Sequence, residues 1–261
     1  TLNLQQNPRT ITISSIMASP QPDIVLYDLA SQKNECFSPV VWRIRLMLNY
    51  KGIPYTTIFL EFPDIEPTLK ELGLDPGESS PGVKNKYTVP AIRHIPSNTY
   101  MLESSRIAEF IETTYPTPPL PLHSELGQIV EAASRKTYLV LACSIIPREI
   151  NILSPRSQAF FRKTREAAFG KPLEELMHED EDQSWAAIDG QLQAASDLIQ
   201  TNKADGPFIL GAKPSYSDFF LAGSLQSARM IDESVFQRLV KYPGFRGVYE
   251  ACLPYGEINR T

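Results

Sequence analysis

The residues with the clearest chemical potential lie in Phe37-Ser38-Pro39-Val40-Val41-Trp42-Arg43. Ser38 is a helix-capping residue type, and Pro39 suits a first helical turn, where a missing N–H costs little. Val40, Ile44, Met47 and Leu48 recur at helical spacing until Lys51-Gly52 stops the run. Ahead of them, Ile24-Val25-Leu26-Tyr27-Asp28-Leu29 reads as a buried strand. Strand, short loop and hydroxyl-capped helix together set a small polar side chain on a positive helix end. There an anion, or a thiol that must ionise, is stabilised. Taken alone the feature is common, because most capping serines only cap.

Other chemistry is sparse. Cys36 lies two residues before the cap, which raises a redox function of the thioredoxin or glutaredoxin kind as an alternative. His94, His123 and His178 are not at ligand spacing, and no metal is expected. No Ser-His-Asp set points to a hydrolase. His178-Glu-Asp-Glu-Asp182 reads as a solvated acidic face or loop.

The elements that must position Ser38 follow from periodicity. Tyr55-Thr-Thr-Ile-Phe-Leu60 is a second strand, a helical turn is expected over Glu66 to Leu72, and two short strands over Ala91 to Ile95 and near Tyr100-Met101. A helix follows over Ser105 to Tyr115, with Ile107, Ala108 and Ile111 on its apolar face. Pro116-Thr-Pro-Pro-Leu-Pro121 is a stiff linker and the best domain boundary. Beyond it the period is helical: Gly127 to Leu153, Pro155 to Phe169, Leu173 to Asn202, Tyr216 to Met230, Ser234 to Lys241 and Gly244 to Ala251. Ser215 and Asp218 form a capping box. The expected organisation is an extension over residues 1–23, an α/β domain over 24–115, a linker over 116–124 and an all-helical domain over 125–261. The segment before Met17 is expected to be foreign to the fold and disordered.

At 261 residues the chain is long enough for two modest domains. A net charge of −5 argues against nucleic acid as a partner. No apolar run reaches the roughly eighteen residues of a membrane span. Cys36, Cys143 and Cys252 are few, odd in number and widely spaced, which suits reduced thiols in a cytoplasmic protein.

A small α/β domain, a Pro linker and an all-helical domain resemble the cytosolic glutathione transferases, whose first domain is thioredoxin-like. Four local matches carry the likeness, in order and at suitable spacing: Ser38-Pro39, Thr88-Val89-Pro90, Glu103-Ser104, and Gly211-Ala-Lys-Pro-Ser-Tyr-Ser-Asp218. Phe37-Ser-Pro-Val-Val-Trp42-Arg, Lys51-Gly-Ile-Pro-Tyr55 and Phe62-Pro-Asp-Ile-Glu-Pro67 look most like the fungal etherase-related class, itself similar to bacterial β-aryl etherases. The likeness spans Ile24 to Tyr255.

The resemblance implies glutathione as co-substrate. Ser38 would donate a hydrogen bond to its thiolate. Pro90 would be cis, turning the Val89 N–H and C=O toward the cysteinyl backbone. Glu103 would meet the γ-glutamyl ammonium, and Ser104 the γ-glutamyl carboxylate. Lys84 or Lys86, with Lys86 preferred, would meet the glycyl carboxylate. In cysteine-type relatives the reactive thiol directly precedes the helix proline, a place held here by Ser38. The expected activity is attack of glutathione on electrophilic aromatic compounds, including aryl ethers of lignin origin. The alternative is a ligandin that holds aromatic or polyphenolic compounds with little turnover. Phe37, Tyr138, Ile145, Phe160 and Phe161 are candidates for the apolar pocket, and a homodimer is expected by resemblance alone.

Overall fold

In the computed structural model, which describes residues 21–75, 87–177 and 180–256, the first half of the chain builds one mixed sheet. β1 (Ile24–Leu29) and β2 (Tyr55–Leu60) run parallel and are joined by helix α1 (Pro39–Lys51). After α2 (Ile65–Glu71), strands β3 (Ala91–His94) and β4 (Thr99–Leu102) pair antiparallel, and α3 (Ser104–Thr114) follows. The order β2-β1-β3-β4 puts β1 inside the sheet. All its residues except Val25 are buried, which is why it reads as an apolar run apart from Asp28, whose carboxylate pairs with Arg45 at 2.8 Å. This is the thioredoxin-like arrangement expected, and β1 and β2 fall on the residues expected. A 3-10 turn at Phe62–Asp64 leads into α2. The rest of the first long connection, residues 76–86, lies outside the described residues, as do residues 1–20.

The second half is helical: α4 (Glu125–Arg135), α5 (Tyr138–Glu149), α6 (Pro155–Phe169), α7 (Glu181–Ala187), α8 (Asp189–Ile199), α9 (Tyr216–Ile231), α10 (Glu233–Val240) and α11 (Pro243–Gly256). Two of the helices expected from periodicity are each divided. The run from Gly127 breaks at Lys136-Thr137, where the Thr137 hydroxyl donates to the Ser134 carbonyl (2.8 Å) and the Ser134 hydroxyl to the Val130 carbonyl (2.9 Å). Hydroxyls that bond to the backbone in this way compete with the helical ladder. The run from Leu173 is a 3-10 turn, Leu173–Leu176, then α7 and α8, separated at Ile188. Asp180 caps α7 by accepting the Gln183 N–H at 2.8 Å. The acidic stretch is also not simply solvated: Glu181 pairs with Arg148 (2.8 Å) and Asp182 with Arg238 (2.6 Å).

α1 is held at both ends, by α3 and the Pro linker at its C-terminus and by the helical half at its N-terminus. At its C-terminus the buried Lys51 ammonium donates to the carbonyls of Tyr115 and Pro118 (2.8 Å each) and pairs with Glu112 at 2.6 Å. That arrangement fixes the start of the Pro linker, whose Thr117–Pro118 peptide is cis. At its N-terminus α9 comes very close, because position 223 is glycine. A Cβ there would meet the Pro39 carbonyl oxygen at 2.9 Å and the Trp42 Cβ at 3.2 Å. Gly223→Ala therefore forces the helices apart and is expected to cost about 1–3 kcal/mol. A melting temperature equal to that of the parent would show that α9 retreats from α1 freely.

Candidate functional site

Register places the sequence-predicted site residues at one edge of the sheet. Tyr27 of β1 lies opposite Ala91 of β3, which lies opposite Leu102 of β4. Pro90 immediately precedes Ala91 and Glu103 immediately follows Leu102, so Val89-Pro90 and Glu103-Ser104 leave the sheet side by side. β1 ends at the same edge, and because α1 crosses over to the parallel strand β2, its N-terminus with Ser38 begins there too. Ligands of open α/β sheets bind beyond strand carboxyl ends of this kind. Lys84 and Lys86 lie outside the described residues.

Ser38 caps α1 with extended backbone (φ −69°, ψ 123°), its Oγ accepting the Val41 N–H at 3.4 Å. Capping uses a lone pair of this buried hydroxyl, and among the described residues its O–H has no hydrogen-bond acceptor. The loop before it is firmly held. Trp42 Nε1 donates to the Cys36 carbonyl at 2.9 Å, and the Gln32 backbone N–H and side-chain amide donate to the carbonyls of Ile152 (2.8 Å) and Leu153 (2.7 Å). The hydroxyl therefore sits on rigid backbone tied to the end of α5.

The Val89–Pro90 peptide is cis, as expected. Among the described residues, the Val89 N–H and C=O pair with no other backbone group. They form a one-residue edge that can take an extended peptide. Glu103 has φ +71°. For a residue with a Cβ this conformation costs on the order of 1–3 kcal/mol, and such strain concentrates at binding sites. Its carboxylate is exposed, and its backbone turn starts α3 with Ser104 as first residue.

One residue absent from the sequence-based set touches this edge, and a second stands behind it. The Tyr216 hydroxyl, on the first turn of α9, reaches the Ser104 carbonyl oxygen at 3.4 Å and also interacts with the Arg43 guanidinium. Neither contact has a sequence signal, since Tyr216 reads as an apolar-face residue of its helix.

Several expected features take other roles. The Cys36 thiol is buried at the wall of a cavity; burial pushes its pKa well above the usual thiol range and the nearby Asp28 carboxylate adds to that. That is the reverse of what a reactive thiolate needs. Phe37 (2% exposed) and Phe161 (0%) are core residues rather than pocket walls, and Tyr138 is 67% exposed. Ile145 and Phe160 are half-buried. His94 bonds Ser97 Oγ (2.6 Å) and the Tyr115 hydroxyl (3.0 Å), a structural role. Among the described residues, no group of three metal-ligating side chains comes together and no helix is long and apolar enough to cross a membrane. A cavity of about 660 Å³ opens elsewhere, between α1, β2, α9 and α11, with Trp42, Tyr55, Phe59 and Tyr249 in its walls. None of Ser38, Val89, Glu103 or Ser104 lines it.

One titratable group has no sequence signal at all. The Glu149 carboxyl, at the end of α5, is pushed up from 4.5 to about 7 by burial, which Arg165 offsets only in part. A folded-state pKa above the unfolded one means that the native state holds the proton longer. Stability from this group is then full below about pH 4.5 and is lost as pH rises through about 7. Glu149→Gln should remove up to about 3 kcal/mol of this pH dependence. Parallel denaturant curves at acid and alkaline pH check it; identical pH profiles for parent and variant would contradict it.

Known proteins resemble the chain over both of its halves. A family model described as glutathione S-transferase, N-terminal domain, matches residues 37–114, and one for the C-terminal domain matches residues 126–241. The glutathione S-transferase-like protein ustS of Aspergillus flavus is 33% identical over 246 residues, covering 86% of each chain. Glutathione transferase GSTFuA2 of Phanerochaete chrysosporium superposes with a TM-score of 0.75 at 30% identity, over 92% of this chain and 99% of that one. The glutathione S-transferase CsGST63524 of Ceriporiopsis subvermispora, solved in complex with glutathione, gives a TM-score of 0.76 at 27% identity, over 91% of this chain and 99% of that one.

Proposed function

Because this chain belongs to the glutathione S-transferase family, we propose that it is a serine-type transferase in which Ser38 holds the thiolate of glutathione for attack on aromatic electrophiles. The observation that carries the reading is Ser38 itself, a rigidly held helix-capping hydroxyl with its O–H unspent. A free thiol titrates near ~8.5, so about one to two pKa units must be removed for reaction at neutral pH. A hydrogen bond to a charged group contributes about 1.5–3 kcal/mol and the helix end about 0.3–1 kcal/mol. At ~1.4 kcal/mol per unit these suffice without a general base.

The remaining groups orient the tripeptide. The unpaired Val89 N–H and C=O take the cysteinyl backbone, Ser104 at the α3 N-terminus takes the γ-glutamyl carboxylate, and the exposed Glu103 carboxylate takes the ammonium. A lysine of the long connection, Lys86, would complete the set at the glycyl carboxylate. The sequence resemblance to the etherase-related class suggests aryl ethers as one electrophile class. The family also carries the expected homodimer. A second reading is an aromatic ligand held with little turnover, for which the cavity away from Ser38 offers Trp42, Tyr55, Phe59 and Tyr249 among walls that are more polar than apolar.

The test is glutathione consumption with an aryl halide, an isothiocyanate and a β-aryl ether, run on the parent protein and on Cys36→Ser. Turnover that survives in Cys36→Ser supports the serine reading. Activity abolished in a folded Cys36→Ser protein would return the redox alternative, and saturable aromatic binding without turnover would favour the ligandin.

A further inference from the structure

Arg43 leaves α1 just over one turn after Ser38, on the side covered by α9. Its guanidinium lies 4.2 Å from the ring centre of Phe220, which also receives Arg135 at 5.1 Å. The carboxylate that acts on this pair is Glu131 of α4, which accepts the Ser217 hydroxyl at 2.8 Å and lies 3.4 Å from Arg135. Two guanidinium groups thus face one carboxylate. Arg43 makes no ion pair, and its Nε is buried without a hydrogen-bond partner among the described residues. A buried charge left short of partners is costly unless something else neutralises it.

What lies beyond Arg43 is the start of α3. The Tyr216 hydroxyl donates to the Ser104 carbonyl oxygen at 3.4 Å, and Tyr216 lies one helical turn before Phe220 on the face of α9 that meets the Arg43 guanidinium, whose charge acts on it. On the far side of that peptide the free N–H groups of the α3 N-terminus face outward, and they favour negative charge in the same direction as the arginine does.

We propose that Arg43, acting through Tyr216, is a positioning residue for the γ-glutamyl end of glutathione, supplying the unneutralised positive charge that makes the Ser104 turn select an α-carboxylate. The inference rests on the reading of Ser104 given above and adds the charge that stands behind it. Arg43 does not touch the ligand. It fixes the Ser104 peptide through the tyrosine and contributes a field across a dry interface, where screening is weak.

The experiment compares two ligands by calorimetric titration: glutathione, and 4-aminobutyryl-cysteinylglycine, which is glutathione without the α-carboxylate. Parent protein is expected to prefer glutathione. Tyr216→Phe and Arg43→Met should each lose roughly 5–20-fold in glutathione affinity while keeping the affinity for the analogue, with Arg43→Lys in between. Equal losses for both ligands, or preference for glutathione undiminished in the variants, would overturn the role of Arg43. Circular dichroism checks folding, and if Arg43→Met does not fold, the nearly isosteric Tyr216→Phe decides. Parent protein that fails to distinguish the two ligands would instead overturn the assignment of Ser104 itself.

Discussion

Ser38→Ala is expected to lower kcat/KM for glutathione conjugation by about 10–100-fold and to raise the pKa of the bound thiol by about one to two units. The size follows from what is removed. A hydroxyl donor to a thiolate contributes about 1.5–3 kcal/mol, whereas the helix end, which survives the substitution, contributes about 0.3–1 kcal/mol. Glutathione affinity should change much less, because Val89, Glu103 and Ser104 hold the peptide rather than the sulfur. The same substitution also deletes the cap of α1, where the Ser38 oxygen accepts the Val41 N–H. Loss of a serine cap to alanine costs about 0.5–2 kcal/mol of stability, but to glycine only a few tenths. Ser38→Gly therefore separates the two effects, since it should lose activity as fully as alanine with most of the stability retained. Thiolate absorbance against pH in the glutathione-saturated protein reads the pKa directly. A Ser38→Gly protein with parental thiol pKa would remove the hydroxyl from the mechanism.

That prediction rests on residues legible in the sequence. Ser38-Pro39 is a local signal, a capping residue followed by a first-turn proline, and the structure uses both as caps require. β1 and β2 are equally local, short runs rich in β-branched and aromatic residues that each begin just after a proline, Pro22 or Pro54. Val89-Pro90 and Glu103-Ser104 stand out only beside a known family, and the feature that gives Glu103 its turn, φ +71°, is invisible because its residue type argues against it. What the sequence does not reveal is set by contacts across the chain. Tyr216 reaches Ser104, with Arg43 behind it, because α9 packs on α1, and α9 comes that close because Gly223 has no side chain to hold it off. Read locally, Gly223 is merely a weak spot in a helix. The break at Thr137 escapes the sequence for a related reason. Period detects which faces are apolar, and it continues unchanged across a point where a hydroxyl takes a backbone carbonyl.

The largest stability effect is expected at Asp218, a residue the sequence marks only as half of a capping box. Its carboxylate is fully buried and accepts three donors: the Ile209 N–H at 2.8 Å, the Ser215 N–H at 2.8 Å and the Ser215 hydroxyl at 2.6 Å. The first of these matters beyond the helix. It ties α9 to the segment 206–211, where Phe208 and Gly211 exchange backbone hydrogen bonds in a tight turn with Gly211 at φ +104°. Asp218→Ala leaves two backbone N–H groups and a hydroxyl without acceptors in a site closed to water, at about 1–3 kcal/mol each, with the Ser215 hydroxyl best able to turn elsewhere. A total loss of about 3–5 kcal/mol follows, a large part of the 5–15 kcal/mol that holds an ordinary domain folded. Asp218→Asn keeps one acceptor oxygen but turns an amide N–H₂ against a donor, so it should rescue only part of the loss. Because α9 carries Gly223 against α1 and Tyr216 against Ser104, the destabilised protein should also lose glutathione binding at temperatures well below its melting point. Chemical denaturation of the alanine and asparagine variants, each followed with glutathione titration, tests both halves of the argument. A midpoint for Asp218→Ala within experimental error of the parent would show that the turn at 206–211 finds its own acceptors and that α9 is held by packing alone.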